Sequence, residues 1–479
     1  MSHPRRRCTV ATACSTIVAL VLALHGQSNQ PLDPPWSAQV DRVFAQWDRP
    51  DSPGCALGVY QDGRIAYTRG YGIADLEHNA PITPDSVFYA GSVSKQFAAM
   101  AAALAIAQGK LGADDDVRKY VPELPDYGRT VTIRHLVHHT SGLRDVNTLM
   151  VLAGRRDEDA FDNEAVLRIV ARQKALNFMP GDEHLYSNSG YAMLALAVER
   201  ATGTPFAAYA DASIFQPLGM TASHFHTDLT RLVPGRAYAY ERRPDGSFAL
   251  NSPANERAGA GGLFTTVREL VRWDGNFYDA KVGGPDLVRM LETPGRLNNG
   301  TELTYAWGLT VGSYRGMPIV EHSGSLGGYR AHIIRFRPAR TSVAILCNVS
   351  NVSTGTVVRR VADVALSGRF VPPPPPPPPP RPIAAPPGPP QAYSPVELQA
   401  FAGDYYSEEL DSVYRVSADG TNLKLRRGVR RQVFTLVAGR KDEFDLPGSL
   451  IRFRRGPDGA VTGLVVDADR TRGLAFVKR

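Results

Sequence analysis

Ser92 and Lys95, two residues that together can carry out nucleophilic chemistry, stand three positions apart at the start of the apolar stretch SVSKQFAAMAAALAIA. On a helix this spacing puts both side chains on one face, with Cβ atoms about 5 to 6 Å apart. At a helix N-terminus, unpaired backbone N–H groups favour negative charge that develops on a serine oxygen or on an attacked carbonyl. A buried lysine loses proton affinity and can accept the serine's proton. The pair therefore predicts a nucleophilic serine.

A second pair of polar residues, Tyr186 and Asn188, precedes another apolar helical segment in HLYSNSGYAMLALAVE. Alternate side chains of an extended segment point the same way, so both can face one cleft. A phenol beside an ammonium ionises more readily and can act as a general base, while the asparagine amide can pair with a substrate amide and contact the lysine. The structural alternative is a tyrosine that packs at the start of the helix.

The third group is His322, Ser323 and Gly324 in VEHSGSLGG, a strand followed by a glycine-rich turn. Glycine on an edge strand lets a substrate backbone approach closely and pair as an added strand. The backbone amides of Ser325 and Ser92 can then form an oxyanion hole for acyl transfer. Packing of His322 against the sheet is the structural alternative.

In the order S-x-x-K, Y-x-N and H-x-G, these groups resemble the serine β-lactamase and penicillin-binding protein superfamily, most closely its class C β-lactamase and D-alanyl-D-alanine carboxypeptidase branch. The resemblance extends over residues 35–370 and includes VFYAGSVSKQF, TIRHLVHHTSGL and GAGGLFTTVRELVRW. It implies that Ser92 is the acylated nucleophile, Lys95 its proton partner and Tyr186 the base. It also implies that Asn188 binds the substrate amide, and no cofactor or metal is expected.

His322 departs from the β-lactamases of this branch, which carry lysine at that place. A fixed cation holds a substrate carboxylate, whereas histidine is largely neutral at pH 7. The H-x-G form is similar to that of carboxypeptidases and D-amino-acid peptidases. The resemblance thus implies an acyl-enzyme hydrolase that acts on D-amino-acid-containing peptides, with an esterase or a weak class C-like β-lactamase as alternatives.

The chain is long enough for more than one domain, with 479 residues of which 43% are hydrophobic and 21% are charged. The net charge of +7 includes Arg5, Arg6 and Arg7, and no basic helix interleaved with aromatic residues is present, so no nucleic-acid partner is predicted. A small molecule or short peptide is the expected substrate. Contact with peptidoglycan or the cell envelope stays open.

Residues 1–26 combine a basic start, an apolar run and small residues, as in a secretory signal peptide. We therefore expect a periplasmic or secreted protein, with an uncleaved membrane anchor as the alternative. Cys55 and Cys347 are the cysteines left after this segment, and both lie in apolar, strand-like runs. Buried free thiols are the favoured interpretation, and a disulfide between neighbouring strands is the alternative.

Residues 371–393 form a proline-rich linker, because proline removes backbone donors and holds the chain extended. Before the linker, residues 35–370 contain a hairpin across Asp62 and Gly63, a mostly helical insertion at about residues 111–261 and further strands that end in a helix. This order predicts an α+β domain in which helices flank an antiparallel sheet.

After the linker, residues 394–479 show short alternating strands separated by the turns ADGT, LPGS and PDGA, the pattern of a small antiparallel barrel. This unit resembles the lipocalin-like barrel appended to some hydrolases of the superfamily. It suggests a rival hypothesis from another functional class, a non-catalytic envelope-binding protein that works through its barrel.

Overall fold

The computed structural model describes residue 1 and residues 33–155, 159, 161–254, 256–371, 391–428 and 432–479. Apart from residue 1, the predicted signal peptide lies outside the described residues, and so does the proline run of the predicted linker. Both therefore stay predictions.

In the N-terminal unit, the strands of the main sheet are the long ones, and the other strands are short. In chain order they are β1 (Cys55–Gln61), β2 (Arg64–Tyr71), β3 (Ile73–Asp75), β4 (Ala80–Pro81), β5 (Phe88–Tyr89), β6 (His224–Phe225), β7 (Tyr240–Arg242), β8 (Phe248–Leu250), β9 (Leu263–Thr265), β10 (Thr310–Tyr314), β11 (Met317–Leu326), β12 (Tyr329–Phe336) and β13 (Thr341–Cys347).

Helices fill most of the chain between β5 and β10. The helices of this unit are α1 (Ser37–Phe44), α2 (Ser94–Ala107), α3 (Ile133–Val137), α4 (Val146–Leu152), α5 (Asn163–Ala171), α6 (Asn188–Thr202), α7 (Phe206–Ala210), α8 (Gln216–Leu218), α9 (Val267–Asp279), α10 (Gly284–Leu291) and α11 (Thr354–Ala365). Across the ranges that the structure covers, no helix has both the length and the apolar character that a bilayer crossing requires.

The main sheet has six antiparallel strands in the order β10-β11-β12-β13-β1-β2, so strands from both ends of the unit meet at its centre. Every residue of β13 is buried, as expected for a central strand covered on both faces. Helices α1 and α11 pack together on one face, and α9 packs against β1, β2 and β13. The predicted α+β class with a helix-flanked antiparallel sheet is confirmed.

Cys55 and Cys347 form a disulfide. They lie directly opposite each other in the antiparallel pairing of β1 with β13, at the two ends of the unit's sequence. The favoured interpretation of buried free thiols is wrong, and the alternative holds. Composition could not decide this point, because pairing depends on the register of strands that are 292 residues apart.

Helix α2, which follows Ser92, is enclosed by the helical region. Eleven of its residues are buried, from Ser94 to Ala105, so the apolar run covers all sides of the helix rather than one stripe. It packs against α6, the helix that begins at Asn188, and against α10. The two helices that begin beside the predicted catalytic residues are therefore neighbours in the core.

The C-terminal unit is a closed antiparallel barrel that follows helix α12 (Pro395–Phe401). Its strands are β14 (Gly403–Ser407), β15 (Ser412–Asp419), β16 (Asn422–Arg427), β17 (Val433–Ala438), β18 (Glu443–Leu446), β19 (Ser449–Arg455), β20 (Val461–Ala468) and β21 (Thr471–Lys478). The rings of Phe401, Phe444 and Phe453 pack together at 4.7 to 5.5 Å between centroids. The predicted barrel is confirmed, and its aromatic side chains pack on one another in the core.

Candidate active site

Ser92 lies in a 3-10 turn, Gly91–Val93, which runs directly into α2. Gly91 adopts a φ of +55°, a left-handed conformation that favours glycine. The turn is fixed from below by the Ser94 hydroxyl, which donates to Gly91 O at 2.6 Å and accepts from Leu263 N at 3.1 Å. Ser92 thus lies two residues before the first α-helical residue, Ser94, at the helix N-terminus as predicted.

Lys95 is completely buried and lies against Ser92. Its Nζ donates to Ser92 Oγ at 3.1 Å, to Asn188 Oδ1 at 2.9 Å and to Ala260 O at 2.7 Å. Burial lowers the pKa of Lys95 well below its usual value, while the nearby charge of Asp145 acts in the opposite direction. A neutral Lys95 keeps two N–H groups for Asn188 and Ala260 and turns its lone pair to the serine hydroxyl. The predicted serine and lysine pair is brought together.

Tyr186 lies over the same pair. Lys95 Nζ is 4.8 Å from the centre of its ring, so the amine faces the ring rather than ending at the phenol oxygen. Burial raises the pKa of Tyr186, and a hydrogen bond with the Ser92 side chain only partly offsets this effect. The phenol is therefore protonated at neutral pH, whereas the sequence suggested a phenol that ionises easily. The role of Tyr186 as base stays a prediction.

Asn188, the first residue of α6, lines the site with only 6% of its surface exposed. Its Oδ1 accepts from Lys95, and its Nδ2 donates to Asp145 Oδ2 at 2.9 Å. One N–H of the amide group is thus used by a carboxylate, and the second can reach a substrate carbonyl. The predicted contact between asparagine and lysine is present.

Asp145 is a site residue that the sequence reasoning missed. It is fully buried and accepts from the backbone N of Asn147, Thr148 and Asn188, so it caps helix α4 and fixes the start of α6 together. An aspartate before a helical run signals an N-cap. Its hydrogen bond to the start of α6 could not be predicted, because it depends on how α4 and α6 pack together.

His322 projects from β11 and is 6% exposed. Its Nδ1 lies 2.6 Å from the backbone O of Ser323, which can only accept, so we assign the proton to Nδ1. Nε2 then accepts from Tyr305 Oη at 2.9 Å. Burial, together with the nearby charge of Lys95, lowers the pKa of His322 to about 3. His322 is therefore a neutral group with both nitrogens engaged.

Gly324 and the turn that carries Ser92 touch backbone to backbone. A Cβ on Gly324 would lie 2.0 Å from Ala90 O and 3.0 Å from Ser92 N, and one on Gly91 would lie 2.6 Å from Ser325 N. The sequence assigned Gly324 to substrate approach, and the structure shows that it also lets the nucleophile turn approach the strand. The amides of Ser92 and Ser325 thereby come close together, as the predicted oxyanion hole requires.

The strand segment beyond Glu321 has an open outer edge. The pairing of β10 with β11 ends at Thr310 and Glu321, whereas β12 continues to pair with β11 up to Leu326. Within the described ranges, residues 322–326 therefore have no neighbouring strand on their outer side, where an extended substrate can add as a strand.

These groups surround a cavity of about 370 Å³. It is lined by Tyr89, Gly91, Ser92, Asn147, Tyr186, Asn188, Arg257, Ala260, Gly261, His322, Ser323, Gly324, Ser325, Leu326 and Arg470. The charged side chains among these described lining residues are both arginines. The cavity suits a small molecule or the end of a short peptide.

Arg470 reaches this cavity from the barrel, on the turn between β20 and β21. The turn is seated on the N-terminal unit by Asn177, whose Nδ2 donates to Arg470 O at 2.9 Å and whose Oδ1 accepts from Arg472 N at 2.8 Å. In the sequence this turn reads only as a hairpin of a separate domain. No local pattern places it at the active site.

The three histidines of RHLVHHTSG help to shape the loop beside the cavity. Each has a ring nitrogen bonded to a backbone group: His135 Nδ1 to Thr132 N, His138 Nδ1 to Tyr305 O and His139 Nδ1 to Ser187 N. Within the described structure, these bonds hold the loop in place.

The arrangement can support acyl transfer. A hydroxyl contacts an amine whose burial lowers its pKa, two backbone amides lie near the hydroxyl, and a phenol lies within reach to move a proton. All the predicted site residues, Ser92, Lys95, Tyr186, Asn188, His322, Gly324 and Ser325, meet in this one place. Their individual roles stay predictions.

Comparison with known proteins identifies the family of the chain. A model of the family described as Beta-lactamase matches residues 40–366. The D-aminopeptidase of Gluconobacter oxydans (strain 621H) is 29% identical over 297 residues, which cover 62% of this chain and 56% of the relative. Penicillin-binding protein 4* of Bacillus subtilis (strain 168) is 30% identical over 304 residues, which cover 60% of this chain and 66% of the relative. The chain thus matches between half and two thirds of the length of these relatives.

Among solved structures, the octameric penicillin-binding protein homologue from Pyrococcus abyssi has a TM-score of 0.61 at 21% identity, and the match covers 92% of this chain and 99% of that chain. At this identity the likeness concerns the fold. The family match extends over more than half of the sequence and contains Ser92, Lys95, Tyr186, Asn188 and His322. The predicted family is confirmed: the chain belongs to the beta-lactamase family of serine hydrolases.

Proposed function

We propose that this protein hydrolyses amide bonds of D-amino-acid-containing peptides through a covalent acyl-enzyme on Ser92, as a carboxypeptidase or an aminopeptidase. The observation that carries the proposal is the contact of the buried Lys95 Nζ with Ser92 Oγ at 3.1 Å. The backbone amides of Ser92 and Ser325 lie close to each other beside this contact. The names of the relatives, a D-aminopeptidase and a penicillin-binding protein, support the substrate class.

In the first half-reaction, Ser92 Oγ loses its proton to neutral Lys95 and forms a bond to the carbonyl carbon of the substrate. The carbonyl oxygen takes the negative charge and is held by the amides of Ser92 and Ser325. When the intermediate collapses, the C–N bond breaks and the leaving nitrogen takes a proton from the Tyr186 phenol. Lys95 then passes the proton that it took from Ser92 to the Tyr186 oxygen. The acyl group is then bound to Ser92 as an ester.

In the second half-reaction, water attacks this ester. The same groups work in reverse, so a proton of the water passes to Lys95 and Ser92 Oγ recovers its hydrogen when the acyl group leaves as a carboxylic acid. Asn188 holds the amide of the substrate, and the open edge of residues 322–326 aligns its backbone.

The neutral state of His322 favours a peptidase over an efficient β-lactamase. The lysine that β-lactamases of this branch carry would present a cation here, but His322 has both nitrogens engaged and is uncharged. We therefore expect slow turnover of nitrocefin compared with D-amino-acyl peptides.

The test is labelling of the nucleophile. Wild-type protein incubated with a fluorescent phosphonate should gain one adduct, and mass spectrometry of peptides should locate it on Ser92. The Ser92→Ala variant should not be labelled, and the control Ser247→Ala, which changes an exposed turn serine, should be labelled like the wild type. An adduct on Ser92→Ala would refute the proposal.

Export belongs to the same proposal. The N-terminal sequence supports it, and so does the Cys55–Cys347 disulfide, because such bonds persist in oxidising compartments and are rare in the cytosol. Fractionation of cells that produce the full chain should recover the protein outside the cytoplasm with its N-terminal segment removed. Recovery of intact chain in the cytosol, with reduced thiols, would contradict export.

A further inference from the structure

The barrel contributes one charged side chain, Arg470, to the lining of the active-site cavity. The position of this residue is fixed on both sides, because its carbonyl accepts from Asn177 Nδ2 at 2.9 Å and from Asp145 N at 3.2 Å. Its guanidinium lies 5.5 Å from the centre of the Tyr186 ring. A loop held by its backbone in this way can present its side chain to a ligand without prior ordering.

The guanidinium is only partly neutralised. Its Nε donates to Asp469 Oδ2 at 3.1 Å, and its Nη2 lies 3.6 Å from Asp145 Oδ1. Asp469 is 62% exposed at the rim, and Asp145 already accepts several hydrogen bonds. Within the described residues, the bonds of this side chain involve Nε and Nη2, which leaves Nη1 to donate to another group.

The cavity as a whole is suited to an anion. Its described lining residues include Arg257 and Arg470 and no aspartate or glutamate. His322, at the position where other members of the branch have a cation, is neutral and has both ring nitrogens bonded within the protein. The charge of Arg470 thus enters the cavity from the barrel and not from the strand that carries His322.

We propose that Arg470 binds the carboxylate of the residue that leaves, so that the preferred substrates are D-peptides with a free C-terminal carboxylate next to the scissile bond. The inference rests on the proposed function and selects the carboxypeptidase type within it. The leaving side is indicated because the Arg470 guanidinium lies 5.5 Å from the ring centre of Tyr186, the group that gives the leaving nitrogen its proton in the proposed mechanism. The guanidinium keeps its charge at every working pH, and its Nη1 can donate a charge-assisted hydrogen bond to the carboxylate.

The test compares two matched substrates, N-acetyl-D-alanyl-D-alanine and its C-terminal amide, on the full chain. The wild type should prefer the free carboxylate. In Arg470→Gln, kcat/KM for the carboxylate should fall roughly 10- to 100-fold, the range for one lost hydrogen bond between charged groups. The amide should change less than about threefold, and Arg470→Lys should recover part of the loss on the carboxylate alone.

Arg472→Gln is the matched control. It removes the same charge from the same hairpin, but its side chain pairs with Glu183 at the surface and does not line the cavity. It should leave the ratio of the two substrates unchanged. An equal fall on both substrates in Arg470→Gln, no fall on either, or a wild-type preference for the amide would overturn the inference.

Labelling of Ser92 distinguishes a failure of the role of Arg470 from a failure of the proposed hydrolase. The phosphonate probe has no carboxylate, so it should modify wild type and Arg470→Gln alike. Labelling with no preference between the substrates refutes the role of Arg470 and leaves the hydrolase intact. If the wild type is not labelled at all, the proposed hydrolase activity is refuted, and so is the role of Arg470.

Discussion

Asp145 Oδ2 accepts two hydrogen bonds from Asn188, one from the backbone N at 2.7 Å and one from Nδ2 at 2.9 Å. A single buried carboxylate thus fixes both the start of α6 and the orientation of the amide that holds Lys95 Nζ. It is also the nearby negative charge that supports the ammonium form of Lys95. The position of the asparagine and the protonation of the lysine are therefore coupled through one residue.

Asp145→Asn should change the pH dependence of the reaction. The lysine must be neutral to accept a proton, so kcat/KM rises with pH through the pKa of Lys95. Asp145 raises this pKa against the effect of burial, and its loss should shift the acid limb of the profile to lower pH. The turnover should also fall, by roughly 100-fold, because Asn188 is less well oriented.

Asp162→Asn provides the comparison for this prediction. Asp162 also caps a helix, with its carboxylate accepting from Ala165 N at 2.7 Å, but it does not line the cavity. The pH profile of this variant should match that of the wild type. A profile of Asp145→Asn that keeps the wild-type acid limb would show that the carboxylate does not influence the lysine.

Gly324→Ala should remove activity while the protein still folds. The added Cβ would lie 2.0 Å from Ala90 O, so β11 and the turn that carries Ser92 must separate. A displacement of this kind disrupts the spacing of the Ser92 and Ser325 amides, and loss of one oxyanion donor costs about 100- to 1,000-fold in kcat. Steady-state kinetics and the melting temperature, measured together, would separate this effect from unfolding.

Gly312→Ala serves as the control on the neighbouring strand β10, where a Cβ would meet no atom within 4 Å. It should keep wild-type kcat. If Gly324→Ala retained full turnover, the close contact between strand and turn would not set the geometry of the oxyanion hole.

Sequence reasoning located those parts of the site that lie close together along the chain. The spacing of Ser92 and Lys95 on a helix is set by helix geometry, and the glycine after His322 is a local signal, so both were found. Asp145 and Arg470 were missed, because their roles depend on the docking of one helix on another and of one domain on another. Local patterns carry no record of such contacts.

The same limit applies to the prediction of the fold from the sequence. The hairpin across Asp62 and Gly63, the strands around His322 and the barrel all follow from alternation and turn residues, and all were predicted. The pairing of Cys55 with Cys347 was judged wrongly, since the register of β1 against β13 depends on the whole sheet. The phenol of Tyr186 was expected to ionise easily, but its burial, which raises its pKa, arises only in the folded protein.

The disulfide should contribute substantially to stability. Because it closes a loop of about 290 residues, its loss should lower the free energy of unfolding by about 2–5 kcal/mol. The double variant Cys55→Ala with Cys347→Ala should melt at a lower temperature than the wild type. Dithiothreitol should lower the melting temperature of the wild type and leave that of the variant unchanged, and equal melting of both proteins would contradict the prediction.

The ion pair between Arg144 and Glu409 should contribute more to the free energy of unfolding than the neighbouring pair between Lys174 and Glu408. Both side chains of the first pair are buried at the junction of the N-terminal unit and the barrel, and Arg144 also donates to Gln173 Oε1 at 3.1 Å and to Arg472 O at 3.0 Å. Removing one partner of a buried pair leaves an uncompensated charge and costs about 3–5 kcal/mol. Glu409→Gln should therefore lower the unfolding free energy by an amount of this order.

Glu408→Gln is the natural comparison, because Glu408 pairs with Lys174 where both side chains are exposed, and such pairs contribute about 0–1 kcal/mol. Chemical denaturation of both variants would measure the difference. Since the β20–β21 hairpin is seated on Arg144, Glu409→Gln should also weaken hydrolysis of carboxylate-bearing substrates at temperatures below its melting point, whereas Glu408→Gln should not. Equal stability of the two variants would show that the barrel is held mainly by other contacts, such as those of Asn177 with the hairpin backbone.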